Sequence, residues 1–317
     1  KKTFILFTIL FSMMASISAM DYDIFFTNEQ LRIDYYIYGD SDSCTYALDK
    51  YVKEPVWGGT RKCLVDTLGY GDYFFEMSLH DSDVVIYSRG YNNLFGEWQT
   101  TPEAEQITRG FNESVIMPFP KEVVDVNFYM RDYNGNFIQK MSLTINPEDY
   151  FIQNAPQYHY SIFNVYGNFS PEKAVDIVIL PDGYTQEEMG KFVNDCNFFA
   201  ECLFSYEPYT SYKDRFNIRA VMAPSRDSGI TIPADGIWKN TAVNCSFYTF
   251  DSERYCMSYD NQSIRNLAGQ VPYDQIYILA NTSKYGGGGI YNFYCVSSTD
   301  DSFSSDVIIH EFGHGFA

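Results

Sequence analysis

The sequence predicts an α+β protein, an N-terminal antiparallel β-sandwich followed by an α/β unit that ends on a helix. Three observations carry this. From about residue 22 to 147, apolar and polar residues alternate with a period of two, as half-buried strands require. From Ala174 onward, continuous apolar runs alternate with stretches of 3–4 periodicity, the pattern of buried strands covered by helices. The last helical stretch contains His310-Glu311-Phe312-Gly313-His314.

Residues 1–19 read as a secretory signal peptide. Lys1 and Lys2 form a basic start, Phe4 to Met14 an apolar segment too short to span a bilayer, and Ile17-Ser18-Ala19 a small-residue end. The expected organisation is then a β-sandwich over 20–150, a linker over 151–170 and a second unit over 171–317. In the first unit, Leu31, Ile33, Tyr35 and Ile37 alternate with Arg32, Asp34, Tyr36 and Tyr38. Val124, Val126, Phe128 and Met130 alternate likewise, and Asn134-Gly135 then marks a hairpin. The 28 tyrosines and 26 phenylalanines could offer carbohydrate platforms, but aromatics in strands mostly fill cores and cross-strand pairs.

In the second unit, Val175 to Leu180 reads as a buried strand. Thr185 and Glu188 form a capping box ahead of a helix whose stripe is Met189, Phe192, Val193, Cys196, Phe199, Ala200 and Leu203. Phe216 to Met222 and Ile276 to Ala280 are further strands, with a short helix around Gln262 to Ala268. This alternation implies a largely parallel sheet. Tyr285 to Asn292 contains four consecutive glycines but no following Lys-Ser/Thr, so it is not a phosphate loop. It reads as a flexible turn, or as a side-chain-free edge strand to which an extended peptide could add through Gly287, Gly288, Gly289, Ile290 and Tyr291. Ser304 or Ser305 is expected to cap the final helix, with Asp306 favouring its positive end.

Net charge is −19, and loss of the signal would remove two lysines and no acids. So acidic a chain excludes general binding to nucleic acid or anionic membranes. The seven cysteines include two pairs close in sequence, Cys44/Cys63 and Cys245/Cys256, and none has the C-x-x-C spacing of a cysteine zinc site.

The chemistry resides in the last helix. Histidines four apart lie about 40° apart around a helix, so both imidazoles reach one ion. The glutamate between them flanks that ion and can hold and deprotonate its water, the H-E-x-x-H arrangement of zinc peptidases. Half of the chain's four histidines are placed this way. Gly313 and Gly315 cost roughly 1 kcal/mol each in a helix interior, which points to close approach by a metal site or neighbouring backbone.

Taken in order, Asp176 to Tyr184, Phe216 to Ala220, Phe247 to Phe250, Pro272 to Ile276, Tyr285 to Asn292 and His310 to His314 resemble the M64 family of secreted bacterial metallopeptidases, whose prototype is an immunoglobulin A peptidase. Leu31 to Tyr36 resembles that family's β-rich N-terminal domain. The resemblance implies a zincin-like catalytic unit with one Zn2+ held by His310 and His314, Glu311 as general base, and a third ligand beyond Ala317. On that expectation the catalytic unit is truncated and the 317-residue chain inactive alone. Ala317 stands where the extended metzincin pattern has glycine, so that narrower clan is not assigned. The expected activity is endoproteolysis of extracellular protein, a host glycoprotein among the candidate partners, with Tyr285 or Tyr291 as oxyanion donor. Two rivals remain at this stage: a glycan- or protein-binding protein with an inert second unit, and a zinc hydrolase of another amide such as cell-wall peptide.

Overall fold

The computed structural model describes residues 21–316. The expected signal peptide lies outside the described residues. A four-residue helix α1 (Tyr22–Phe25) leads into strands β1 (Phe26–Gly39), β2 (Cys44–Glu54), β3 (Tyr73–Leu79) and β4 (Val85–Tyr91). Helix α2 (Leu94–Gln99) follows, then β5 (Arg109–Pro120), β6 (Val124–Arg131), β7 (Phe137–Ile145) and β8 (Gln153–Asn154). The second half comprises β9 (Ile162–Tyr166), β10 (Val175–Asp182), α3 (Met189–Leu203), β11 (Phe216–Val221), α4 (Asn261–Ala268), β12 (Gln275–Ala280), β13 (Gly287–Gly289), β14 (Tyr294–Ser298) and α5 (Ser304–Phe316). The fold is α+β with mixed sheets.

The first half forms two four-stranded sheets, ordered β5-β1-β2-β8 and β4-β3-β6-β7. Their alternation is as expected: Leu31, Ile33, Tyr35 and Ile37 are fully buried. Tyr35 of one sheet packs on Phe128 of the other with ring centroids 5.3 Å apart, so the sheets share their aromatic side chains. At the β6–β7 hairpin, Gly135 has φ +85°, while Asp132 accepts from the backbone of Asn134 and Asn136.

The other face of β1 departs from the pattern. Gln30, Arg32 and Asp34 alternate as solvent-facing residues should, yet all three are buried. Arg32 pairs with Glu54 at 2.9 Å and Asp34 at 2.8 Å, and donates to Asn266 of α4 at 3.0 Å. Gln30 donates to Glu54 and to Tyr273. Polar residues on a strand usually meet water; here they meet the second half of the chain and pair largely with one another, although Gln30 Oε1 is left without a partner.

The second half is one six-stranded sheet, β13-β14-β12-β10-β11-β9. The pairs β10/β11, β10/β12 and β12/β14 are parallel, as the strand–helix alternation predicts, and the edge strands β9 and β13 are antiparallel. Val178, Leu180, Ile276, Ile278 and Val296 join the core of the two smaller sheets. On the opposite face, Ile177, Ile179, Ile218 and Tyr277 lie under Phe192, Phe199 and Leu203 of α3 and Ile308 and Phe312 of α5. The capping box is present, with the Thr185 N–H donating to Glu188 at 2.9 Å.

The stretch 151–170 carries strand at both ends: β8 pairs with β2 and β9 with β11. The seven cysteines are free thiols: Cys44 meets the sulfur of Met130 and Cys63 is exposed, whereas Cys245 and Cys256 are buried in contact with each other. No helix among the described residues is long and apolar enough to cross a membrane.

Glu113 on β5 is buried where the two halves meet, and burial raises its pKa to about 8 despite hydrogen bonds from Asn261 and the Phe95 backbone. A carboxyl raised in the folded state stays protonated there while the unfolded chain ionises from about pH 4.5. Its contribution is therefore complete below that pH and is lost as pH rises toward 8, by up to ~1.4 kcal/mol per pH unit. Urea unfolding between pH 5 and 8.5 should show a shallower decline for Glu113→Gln than for the wild type; parallel curves would contradict the assignment.

Candidate metal centre

Helix α5 begins one position earlier than a cap at Ser304 would place it. Asp301 accepts from the Phe303 backbone at 2.8 Å, and the Phe303 carbonyl accepts from Asp306 and Val307. Ser304 lies in the first turn, buried, and donates to the Asp301 carbonyl. The aspartate captures the free N–H ahead of the helix, leaving the serine no capping role.

Sheet contacts fix the height and rotation of α5. Ile308 and Phe312 are fully buried, each worth roughly 1.5–3 kcal/mol. Tyr277 donates to the Ile308 carbonyl at 3.1 Å, the Cys295 thiol to the Glu311 carbonyl at 2.9 Å, and the Asn292 N–H to the Gly315 carbonyl at 2.8 Å. Glycine makes the approach possible. A Cβ on Gly289 would lie 2.7 Å from the Glu311 carbonyl oxygen and 2.9 Å from His314 Cβ. One on Gly287 would meet Val307 and Glu311 at 3.1 and 3.2 Å, and one on Gly315 would strike Cys295. Gly313 has open space beside it, so close approach accounts for Gly315 and not for Gly313.

So held, His310 and His314 direct their Nε2 atoms to a common point, 3.0 Å apart, with ring planes at 86°. Two nitrogens on one tetrahedral zinc at the usual 2.0–2.1 Å would be about 3.3 Å apart, so the pair fits one ion. Burial and the neighbouring His310 lower the His314 pKa, which favours the neutral imidazole a metal needs. Ligand atoms of His310, Glu311 and His314 lie within 4.8 Å of one another and could together hold an ion. The expectation that a third protein ligand is missing is therefore not borne out.

Glu311 is half-buried, and its pKa rises to about 7, first through desolvation and then through the charge of Glu97. Glu97, on α2 in the first half of the chain, is a residue that no sequence pattern identified. Its carboxylate accepts a short hydrogen bond from Tyr255, and both line a cleft of about 1020 Å³ together with Arg254, Tyr285, Gly287 to Gly289, Phe303, His310, Glu311 and His314.

The glycine run is an edge strand, but most of its edge is taken. Gly287 donates to the Arg254 carbonyl and accepts from Cys256. By the alternation of antiparallel bonding, Gly289 directs its backbone groups outward. Ile290 is buried, and neither it nor Tyr291 is among the described residues lining the cleft; Tyr291 instead accepts from Asn92. Of the two tyrosines considered as oxyanion donors, only Tyr285 reaches the cleft, where it meets Phe303 edge-on.

Residues 163–317 match the family model described as IgA Peptidase M64, and residues 21–142 match the one described as Peptidase M64 N-terminus. No curated protein matches the chain.

Gly289→Ala tests the close packing. It should cost about 1–3 kcal/mol of stability and weaken zinc binding at least tenfold, because the added carbon displaces the turn that holds Glu311 and His314. Gly190→Ala on α3, with nothing within 4 Å, serves as the control and should be neutral or stabilising. Equal effects of both on unfolding and zinc titration would show that the approach is not what sets the site.

Proposed function

The chain belongs to the M64 family of peptidases, and on that premise we propose a zinc-dependent endopeptidase in which His310 and His314 hold the metal and Glu311 acts as general base. The observation that carries this reading is the convergence of the two imidazoles at 3.0 Å beside a carboxyl with a pKa of about 7, in the wall of a cleft of about 1020 Å³. A non-catalytic binding role leaves that convergence without a purpose.

Zinc, when bound, lowers the pKa of a water ligand and polarises the scissile carbonyl. The protein's own residues supply the rest. A carboxylate titrating near neutrality is matched to taking a proton at its Oε atom and passing it to the departing amine. Glu311 is oriented for this by the Cys295 thiol, which holds its backbone carbonyl. The outward backbone groups of Gly289 offer an extended substrate one hydrogen-bonding residue, while Gly287 and Gly288 form side-chain-free wall. In the same reading, the first two sheets are a β-sandwich and the mixed sheet with α5 a zincin-like unit, with boundaries near 150 and 171. The signal over residues 1–19 sends the protein out of the cell, where its substrates are extracellular proteins, host glycoproteins included.

Glu311→Gln separates the base role from a ligand role. The variant should retain one zinc per chain and lose hydrolysis of a protein substrate by 10²–10⁴-fold. Loss of the zinc would make Glu311 a ligand, and unchanged turnover would refute the base assignment.

A further inference from the structure

Resting on the peptidase reading above, we propose that Glu97 is a specificity-determining residue that receives the cationic nitrogen of a lysine or arginine side chain of the substrate. Glu97 is brought to the cleft by the first half of the chain, and its placement is over-determined. Helix α2 is capped by Asn93, whose side chain accepts from Gly96 at 2.9 Å, and the Phe95 N–H is held by buried Glu113. Leu94, Phe95 and Trp98 are buried beneath it. The one acidic residue of the helix lines the same cleft as His310, Glu311 and His314.

Arg254 lines the same cleft without forming an ion pair with Glu97, and the Glu97–Tyr255 pair itself is one-sided. Tyr255 gives its only hydroxyl proton to one oxygen of Glu97. What remains is the second carboxylate oxygen and the phenolic lone pairs, all acceptors. No lysine or arginine among the described residues forms an ion pair with Glu97. An acceptor-only pair whose carboxylate has no ion-pair partner is complementary to a donor carrying positive charge. Tyr255 is itself locked to the catalytic edge: it bridges to Gly287 through its backbone, and its ring lies so close to Gly288 that no Cβ fits between. The distance from Glu97 to the metal centre is thereby set by two rigid elements, as discrimination between substrates requires.

The test uses zinc-loaded protein and peptides that differ at one position, Lys or Arg against norleucine or citrulline, each with a free or acetylated amino terminus. Wild type should favour the cationic peptides to the same degree with free and acetylated termini, because the side chain supplies the charge. In Glu97→Gln the cationic-to-neutral ratio of kcat/KM should fall at least tenfold, the scale of one lost charged hydrogen bond, with zinc content unchanged. Tyr255→Phe should lower the same ratio less, because the carboxylate remains but is no longer held. Wild type without cationic preference, or a Glu97→Gln variant that lowers all peptides alike, overturns the proposal. A zinc-loaded wild type that cleaves no peptide overturns the peptidase reading, and this inference with it.

Discussion

The metal centre depends on how near α5 can come to the edge of the mixed sheet. A helix on a sheet normally stands off by the thickness of two side-chain layers, and here that layer is missing along one line. Gly287 and Gly289 on β13 and Gly315 on the helix all lack the carbon that would force separation. Closeness lets the Cys295 thiol reach the carbonyl of Glu311 and lets Asn292 reach that of Gly315. The helical glycine is unfavourable by itself, costing roughly 1 kcal/mol relative to alanine. The burial of Ile308 and Phe312 and the carbonyl tethers more than offset that cost, and the result is a pair of imidazoles with little freedom to diverge.

This constraint explains why some of the protein was legible in the sequence. Period and spacing are local properties, so Leu31 to Ile37, the α3 stripe and the histidine pair could be read directly. The excess of glycine near the motif was visible too, although its cause was only half seen. A glycine run suggests either a flexible turn or a place reserved for a ligand. In the structure it is an ordered strand whose missing side chains make room for the helix, and Gly287 has its outward groups paired with Arg254 and Cys256. Tyr291 and Ile290 were grouped with the glycines by adjacency in sequence, but the strand ends at Gly289 and the chain turns inward there.

The illegible part is what the two halves do to each other. Arg32 and Asp34 satisfy the rule for a wet strand face and are buried all the same, because β1 carries a network that ends on Asn266 and Tyr273. No local pattern distinguishes a polar residue facing water from one facing a complementary polar surface more than two hundred residues away. Glu97 and Tyr255 escaped notice for the same reason, since 158 residues separate them and neither stands in a motif.

Arrangement across the halves also bears on why the N-terminal sheets exist. A separate attachment module would need only a thin, hydrated contact with the catalytic unit. The contact here buries an ion-pair network at Arg32 and the carboxyl of Glu113, both costly unless the opposing surface is fully formed. Removing the first half would expose Val178, Ile276 and Val296, which it covers, and would strip Glu97 from the cleft. The β-rich half thus contributes Glu97 to the wall of the cleft and covers one face of the sheet beside it.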